Sequence, residues 1–169
     1  LGAETTLVTG PTHLANPPCM SVVHVGTALQ MMEASVAALP ADVAVCAAAV
    51  ADWRPAMPTQ RKMKKNGTPS SLRLVKNPDI LKRLAQAGNM RPALLVGFAA
   101  ETGDAVAQGC NKLAAKGCDW IVANDVSTGT GTFGGDTNTV HLITADGVED
   151  WPEMSKDAVA TRLATRIAE

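Results

Sequence analysis

Val43-Ala44-Val45-Cys46-Ala47-Ala48-Ala49-Val50-Ala51 is a near-continuous apolar run, and it ends in Asp52-Trp53-Arg54. An apolar run of this length with no polar alternation predicts a strand, Val43 to Ala49, covered on both faces, as in parallel sheets of α/β domains. The residues after it fit that reading. Lys62, Lys64 and Lys65 lie in a stretch without regular period, so 52–67 reads as a loop. Ser71 to Val75 alternates and reads as an edge strand. Asn77-Pro78-Asp79 then opens a helix, with Asn77 in the capping position and Pro78 in the first turn. A buried strand thus delivers a carboxylate, a loop delivers cations, and a helix start lies close behind. At the carboxyl ends of strands this combination suits a polyphosphate.

The same alternation runs outward in both directions. Leu1-Gly2-Ala3 reads as a helix end with its C-terminal glycine, and Glu4 to Thr9 as a strand closed by Gly10-Pro11. Ser21 to Val25 is a second strand. Thr27 caps a helix reaching Leu39, with Leu29, Met32, Val36 and Leu39 on one face. Further along come a strand from Ala93 to Ala99, a helix from Ala105 to Ala115 closed by Gly117, and a strand from Trp120 to Ala123. A hairpin comes next, Thr139–Thr144 with Val148–Trp151 about Asp146-Gly147, and a last helix spans Lys156 to Ile167. The predicted fold is therefore a single α/β domain over 1–169. It is Rossmann-like and three-layered, with a mostly parallel sheet, helices on both faces and a C-terminal β-hairpin.

Bulk properties narrow the function. The chain has 169 residues, 46% hydrophobic and 18% charged, which marks an ordinary folded domain. A net charge of −1 argues against nucleic-acid or anionic-membrane partners, so an anion site has to be local. Three Trp, two Phe and no Tyr leave too few rings to stack single-stranded bases. Cys19, Cys46, Cys110 and Cys118 have neither zinc-ligand nor disulfide-framework spacing, which favours a reducing, cytoplasmic setting. No apolar run is long enough to span a bilayer.

Gly129-Thr130-Gly131-Thr132-Phe133-Gly134 satisfies the G-x-G-x-x-G pattern, the one feature that suggests a nicotinamide-dependent oxidoreductase. In this chain a strand comes after it, not a helix, so it lacks the context that brings a pyrophosphate to a helix N-terminus. Lys112 and Lys116 share one helix face; such a pair is a solvated surface unless an anion lies between them. Pro78-Asp79-Ile80 reads equally as an ordinary cap or as an anion-binding helix start. Asn124-Asp125 reads as a turn or as a donor to a ligand oxygen. His13, His24 and His141 are spaced like structural residues.

In combination these segments resemble a known family. Thr9-Gly10-Pro11, Ala48-Ala49-Val50-Ala51-Asp52-Trp53, Lys62-Met63-Lys64-Lys65, Lys76-Asn77-Pro78-Asp79-Ile80, Val96-Gly97-Phe98-Ala99-Ala100-Glu101-Thr102 and Ala123-Asn124-Asp125-Val126 run in the order seen in bacterial phosphopantothenate–cysteine ligase domains. Those are usually the C-terminal half of a bifunctional coenzyme A biosynthesis flavoprotein. The resemblance implies CTP-dependent joining of 4′-phosphopantothenate to L-cysteine through an acyl-cytidylate, with Mg²⁺ carried on the CTP. It assigns Asp52, Lys62, Pro78, Asp79, Ile80, Leu81, Phe98, Lys112 and Lys116 to the nucleotide. It assigns Ala49, Phe98 and Asn124 to the acyl substrate, and Lys62 and Asn124 to catalysis. It also implies a homodimer and a fused decarboxylase half that would carry FMN outside this chain. One departure stands out. The family opens with a strand, a Gly-rich turn and an Asn-Arg-Ser-Ser-Gly-Lys-like segment that has no counterpart here. A catalytically incomplete ligase domain is the expectation, and a nucleotide- or polyanion-binding domain without ligase activity is the alternative.

Overall fold

The computed structural model describes residues 1–59, 71–127 and 135–169. Its centre is a five-stranded sheet in the order β3-β6-β7-β8-β9. These strands are β3 (Val43–Cys46), β6 (Leu94–Glu101), β7 (Trp120–Asp125), β8 (Thr137–Thr144) and β9 (Gly147–Ser155). β3, β6 and β7 run parallel, whereas β8 and β9 extend the sheet antiparallel as the expected hairpin. Two small sheets stand beside it: a parallel pair of β1 (Thr6–Thr9) and β2 (Ser21–His24), and an antiparallel pair of β4 (Trp53–Pro55) and β5 (Leu74–Lys76). "Mostly parallel" thus describes β1 to β3, β6 and β7, while the last third of the chain is antiparallel.

Strand alternation sorts the core into two layers. Leu95, Ala99, Ile121, Ala123 and Ile143 face α2 (Ile80–Ala85) and α3 (Ala105–Lys116) and pack with Leu81, Leu84 and Ala105. Val36 and Leu39, from and just beyond α1 (Ala28–Ala37), reach the same layer. Val96, Val122, Val140 and Leu142 face the other way, packing with Trp151, Val159 and Leu163, the last two from α4 (Lys156–Ala168). Helices therefore cover both faces, as the sequence predicts. Gly109 allows the close approach of α3: a Cβ there would run into Ile143 Cδ1 and lie 3.1 Å from the Ala123 Cβ.

The caps match the sequence closely at three helices. The side chains of Thr27, Asp104 and Ser155 accept from the backbone N–H groups of Gln30, Ala107 and Ala158. Gly117 closes α3 in the left-handed conformation, φ 69°.

Several expectations change, among them the strand read over Ser71–Val75, which forms at Leu74–Lys76 instead. The strand predicted over Val43–Ala49 stops at Cys46, and Val43 and Val45 remain 37% and 45% exposed. It is an edge strand of its sheet, so an all-apolar sequence does not by itself bring a cover over both faces. Residues 53–55, read as loop, form β4 by pairing with β5. Leu1–Ala3 is not helical, although Gly2 has the positive φ of 82° that a helix-terminating glycine adopts. Asp79, not Asn77, caps α2, which starts at Ile80 and leaves Pro78 outside the helix. Cys46 packs against the core, and burial, with Cys118 close by, pushes its thiol up to about 11. It acts as the small hydrophobe its sequence context indicates.

Candidate functional site

The parallel strands β3, β6 and β7 are adjacent, and their carboxyl ends carry the chemistry-bearing residues. Ala49 and Asp52 come after β3, Phe98 and Glu101 lie in the last half of β6, and Asn124 and Asp125 end β7. At roughly 4.8 Å per strand the three ends span about 10 Å, the width of a small ligand.

Asn77 organises the β3 side. Its backbone N–H donates to the Asp52 carbonyl at 2.7 Å, and its Nδ2 donates to the Ala51 carbonyl at 2.7 Å. Its Oδ1 accepts from Arg54 Nη1 at 3.2 Å. These bonds cross more than twenty residues and pull the exit of β3 against the entry of α2. Asp52 and Pro78-Asp79 become neighbours in space through Asn77. A pocket of about 190 Å³ opens here, lined by Gly10, Pro11, Thr27, Ala49, Ala51 and Asn77 among others. Local sequence reasoning sees Asn77 only as a cap, because its partners are non-local.

The cations sit on the α2/α3 face. Lys116 Nζ is 2.5 Å from Asp79 Oδ2, while Asp79 Oδ1 accepts from the Lys82 backbone N–H at 3.1 Å. One carboxylate thereby ties α2 to α3. Burial works to raise the Asp79 carboxyl. The hydrogen bonds from Lys116 and the Lys82 N–H, with the charges of both lysines, outweigh it and hold the group below the usual carboxylate range. One turn earlier, Lys112 Nζ lies 4.0 Å from Glu101 Oε1. The helix start at Pro78-Asp79-Ile80 is therefore not a row of free N–H groups, since Asp79 occupies one of them with its own negative charge. Leu81 is 8% exposed and its side chain belongs to the core.

Asn124 and Phe98 occupy the opposite, α4 face. Register sets Asn124 beside Ala100, two steps beyond the Phe98–Val122 pair. Among the described residues Asn124 is the one buried polar side chain, and its Nδ2 donates to Asn138 Oδ1 at 3.3 Å. Asn138 lies where the β8–β9 ladder shifts register, a place where strands commonly re-aim a side chain. Asp125 binds the following loops together: Ser127 Oγ and N–H and the Gly103 N–H donate to it. The Ser127 bonds hold its carboxyl below the usual range.

The structure thus ties the Asp52 carbonyl to Asn77, two residues before Asp79, and pairs Asp79 with Lys116. It sets Phe98 and Asn124 across the sheet edge from both lysines. Lys62, Lys64, Lys65 and the glycine-rich 129–134 stretch lie outside the described residues. A larger pocket, about 410 Å³, lies between α4 and β9. It is remote from the strand ends, and its cations are already engaged: Arg166 with Glu149 and Glu169, and Arg162 stacked on the Trp151 ring at 4.6 Å. Among the described residues no group of three or more His, Cys, Asp or Glu is placed to hold a metal ion, and no helix is long and apolar enough to cross a membrane.

The fold is an α/β domain whose chemistry-bearing residues gather at the carboxyl ends of its parallel strands, where such domains bind their ligands. Comparison with known proteins makes the assignment specific. The chain belongs to the DNA/pantothenate metabolism flavoprotein C-terminal domain family, whose model matches residues 1–169. Among curated relatives, the coenzyme A biosynthesis bifunctional protein CoaBC of Mycolicibacterium smegmatis is 43% identical over 181 residues, and that of Escherichia coli 39% over 170. The alignments take in 99% and 98% of this chain but only 43% and 42% of those proteins, so the chain spans less than half their length. A crystal structure of the C-terminal domain of a CoaBC protein superposes with a TM-score of 0.76 at 35% identity, covering 99% of this chain and 76% of that one.

Proposed function

We propose that this chain is a CTP-dependent ligase domain that joins 4′-phosphopantothenate to L-cysteine in coenzyme A biosynthesis. The observation that carries the reading is the pairing of Lys112 and Lys116 with acids at the carboxyl edge of the sheet, on the face opposite Asn124, in a chain whose relatives are CoaBC proteins. The arrangement offers a polyanion one side of the edge and an acyl group the other.

In this reading the substrate carboxylate attacks the α-phosphorus of CTP and pyrophosphate leaves. The cysteine amine then attacks the acyl carbon, CMP leaves with the bonding electrons of the mixed anhydride, and the amine loses a proton. Activation is required because a free carboxylate repels the amine and has no adequate leaving group. Asp52 and the backbone of Pro78 to Leu81 hold the nucleotide, with Phe98 packed beside it. Lys112, Lys116 and Lys62 offset phosphate charge, and Lys62 supports the transfer step. Ala49 and Asn124 position the acyl group. Mg²⁺ travels on the triphosphate, held mainly by phosphate oxygens and water. Further parts of the proposal are cytoplasmic location, a homodimer and a fused FMN-dependent decarboxylase half.

Thermal shift with CTP, ATP and NADH tests the nucleotide: CTP alone should raise the melting temperature, and Lys112→Ala with Lys116→Ala should abolish the rise. A shift retained in the double variant removes the lysine clamp, and a shift only with NADH removes the whole reading. Pyrophosphate release that needs both CTP and phosphopantothenate separates ligation from binding.

A further inference from the structure

We infer that the side chain of Asp79 is a positioning residue for Lys116, holding the ammonium group ready for the nucleotide's triphosphate. The inference rests on the proposed role of Lys116 and adds a function for the Asp79 carboxylate, which the family assignment of Pro78 to Leu81 treats through backbone groups. The geometry has three parts. Oδ1 of Asp79 is fixed by the Lys82 backbone N–H at 3.1 Å, as the N-cap of α2. Oδ2 is thereby oriented outward from the cap and takes Lys116 Nζ at 2.5 Å. Lys116 in turn ends α3, immediately before the left-handed Gly117. A side chain at a helix end, on a flexible four-carbon stem, would otherwise sample many rotamers, and fixing it on binding costs affinity.

An ammonium group has three donors, and Asp79 uses one. Two remain for phosphate oxygens. The carboxylate does not repel an incoming phosphate as strongly as its formal charge suggests, because Lys116 and Lys82 flank it. Protein kinases use the same device, an acid on a neighbouring helix that holds the phosphate-binding lysine. Lys112 and Glu101, 4.0 Å apart and both about a quarter exposed, form a looser version one turn away.

The experiment is a double-mutant cycle on the full 169-residue chain, with CTP binding measured by titration calorimetry. Asp79→Asn keeps a capping side chain but removes the charge. It should weaken CTP binding about five- to twenty-fold while leaving the unliganded melting temperature nearly unchanged. Lys116→Ala should weaken it at least as much, and the double variant should bind no worse than Lys116→Ala alone, because Asp79 acts only through that lysine. Asp79→Glu, which keeps the charge on a longer stem, should retain more of the affinity than Asp79→Asn. Unchanged or tighter CTP binding in Asp79→Asn would show that the acid only competes with phosphate and would overturn the inference. Additive losses would do the same. If the parent chain fails to bind CTP at all, the proposed function fails first, which is a distinguishable result.

Discussion

The two halves of the chain contribute strands of similar residues that end in opposite environments. From β6 to β8 the strand centres are sealed: Leu95, Val96, Ile121, Val122 and Leu142 have no exposed surface. Before Leu81 no described residue is buried, although Val43–Ala51 is more uniformly apolar than any strand of the second half. The difference is coverage. β6 and β7 have neighbours on both edges and helices on both faces, whereas among the described residues β3 pairs with β6 alone and the β1–β2 pair packs mainly on α1. Burial is a property of what packs on a strand, and composition only makes it possible.

The largest expected effect tests that contrast directly. Leu142→Ala should cost about 2–5 kcal/mol in urea unfolding, the usual range for emptying a core site. Val45→Ala should stay within about 1 kcal/mol, since nearly half of that side chain already meets solvent. Equal losses would break the comparison. Gly109→Ala comes next. Its new Cβ meets Ile143 and Ala123, and overpacking of this kind costs about 1–3 kcal/mol, whereas Gly10→Ala finds its nearest neighbour, Met31 Cε, at 3.7 Å and should be close to neutral for packing. The smallest effect concerns the seam between the halves. The Asp79 carboxyl is held low in the folded chain, so its stabilising contribution is present above the unfolded carboxylate value and fades as pH falls through the lower folded one. Asp79→Asn should flatten that acid limb by less than about 1 kcal/mol, as suits a partly exposed pair. A steeper limb in the variant would contradict the pairing with Lys116.

Legibility in the sequence divides along the same line. The hairpin about Asp146-Gly147 and the helices at Ala105 and Lys156 carry their own signals: a turn pair, an Asp or Ser cap and a terminal glycine. Each interaction closes within four residues. The features that escape a local reading close over longer spans. β4 has three residues, one of them proline, and exists only because Lys76, Val75 and Leu74 pair with it. Asn77 leaves the cap to Asp79: its Oδ1 accepts from Arg54 and its N–H groups donate to the Ala51 and Asp52 carbonyls, all more than twenty residues upstream. The Asp79–Lys116 bridge crosses thirty-seven residues and joins two helices whose order in space no local pattern specifies. Family resemblance supplies the residue names at the site, and the geometry adds the links among them.

The three tryptophans divide between these environments, and this gives the protein a built-in optical readout. Trp151 is sealed under Arg162, whereas Trp53 is half exposed beside Asp52, with Lys76 Nζ 5.7 Å from its ring centre. Indole emission shifts to the red in water, so the two report at opposite ends of the band. Any ligand arriving beside Trp53 would alter the red component, while loosening of the core around Trp151 would alter the blue one.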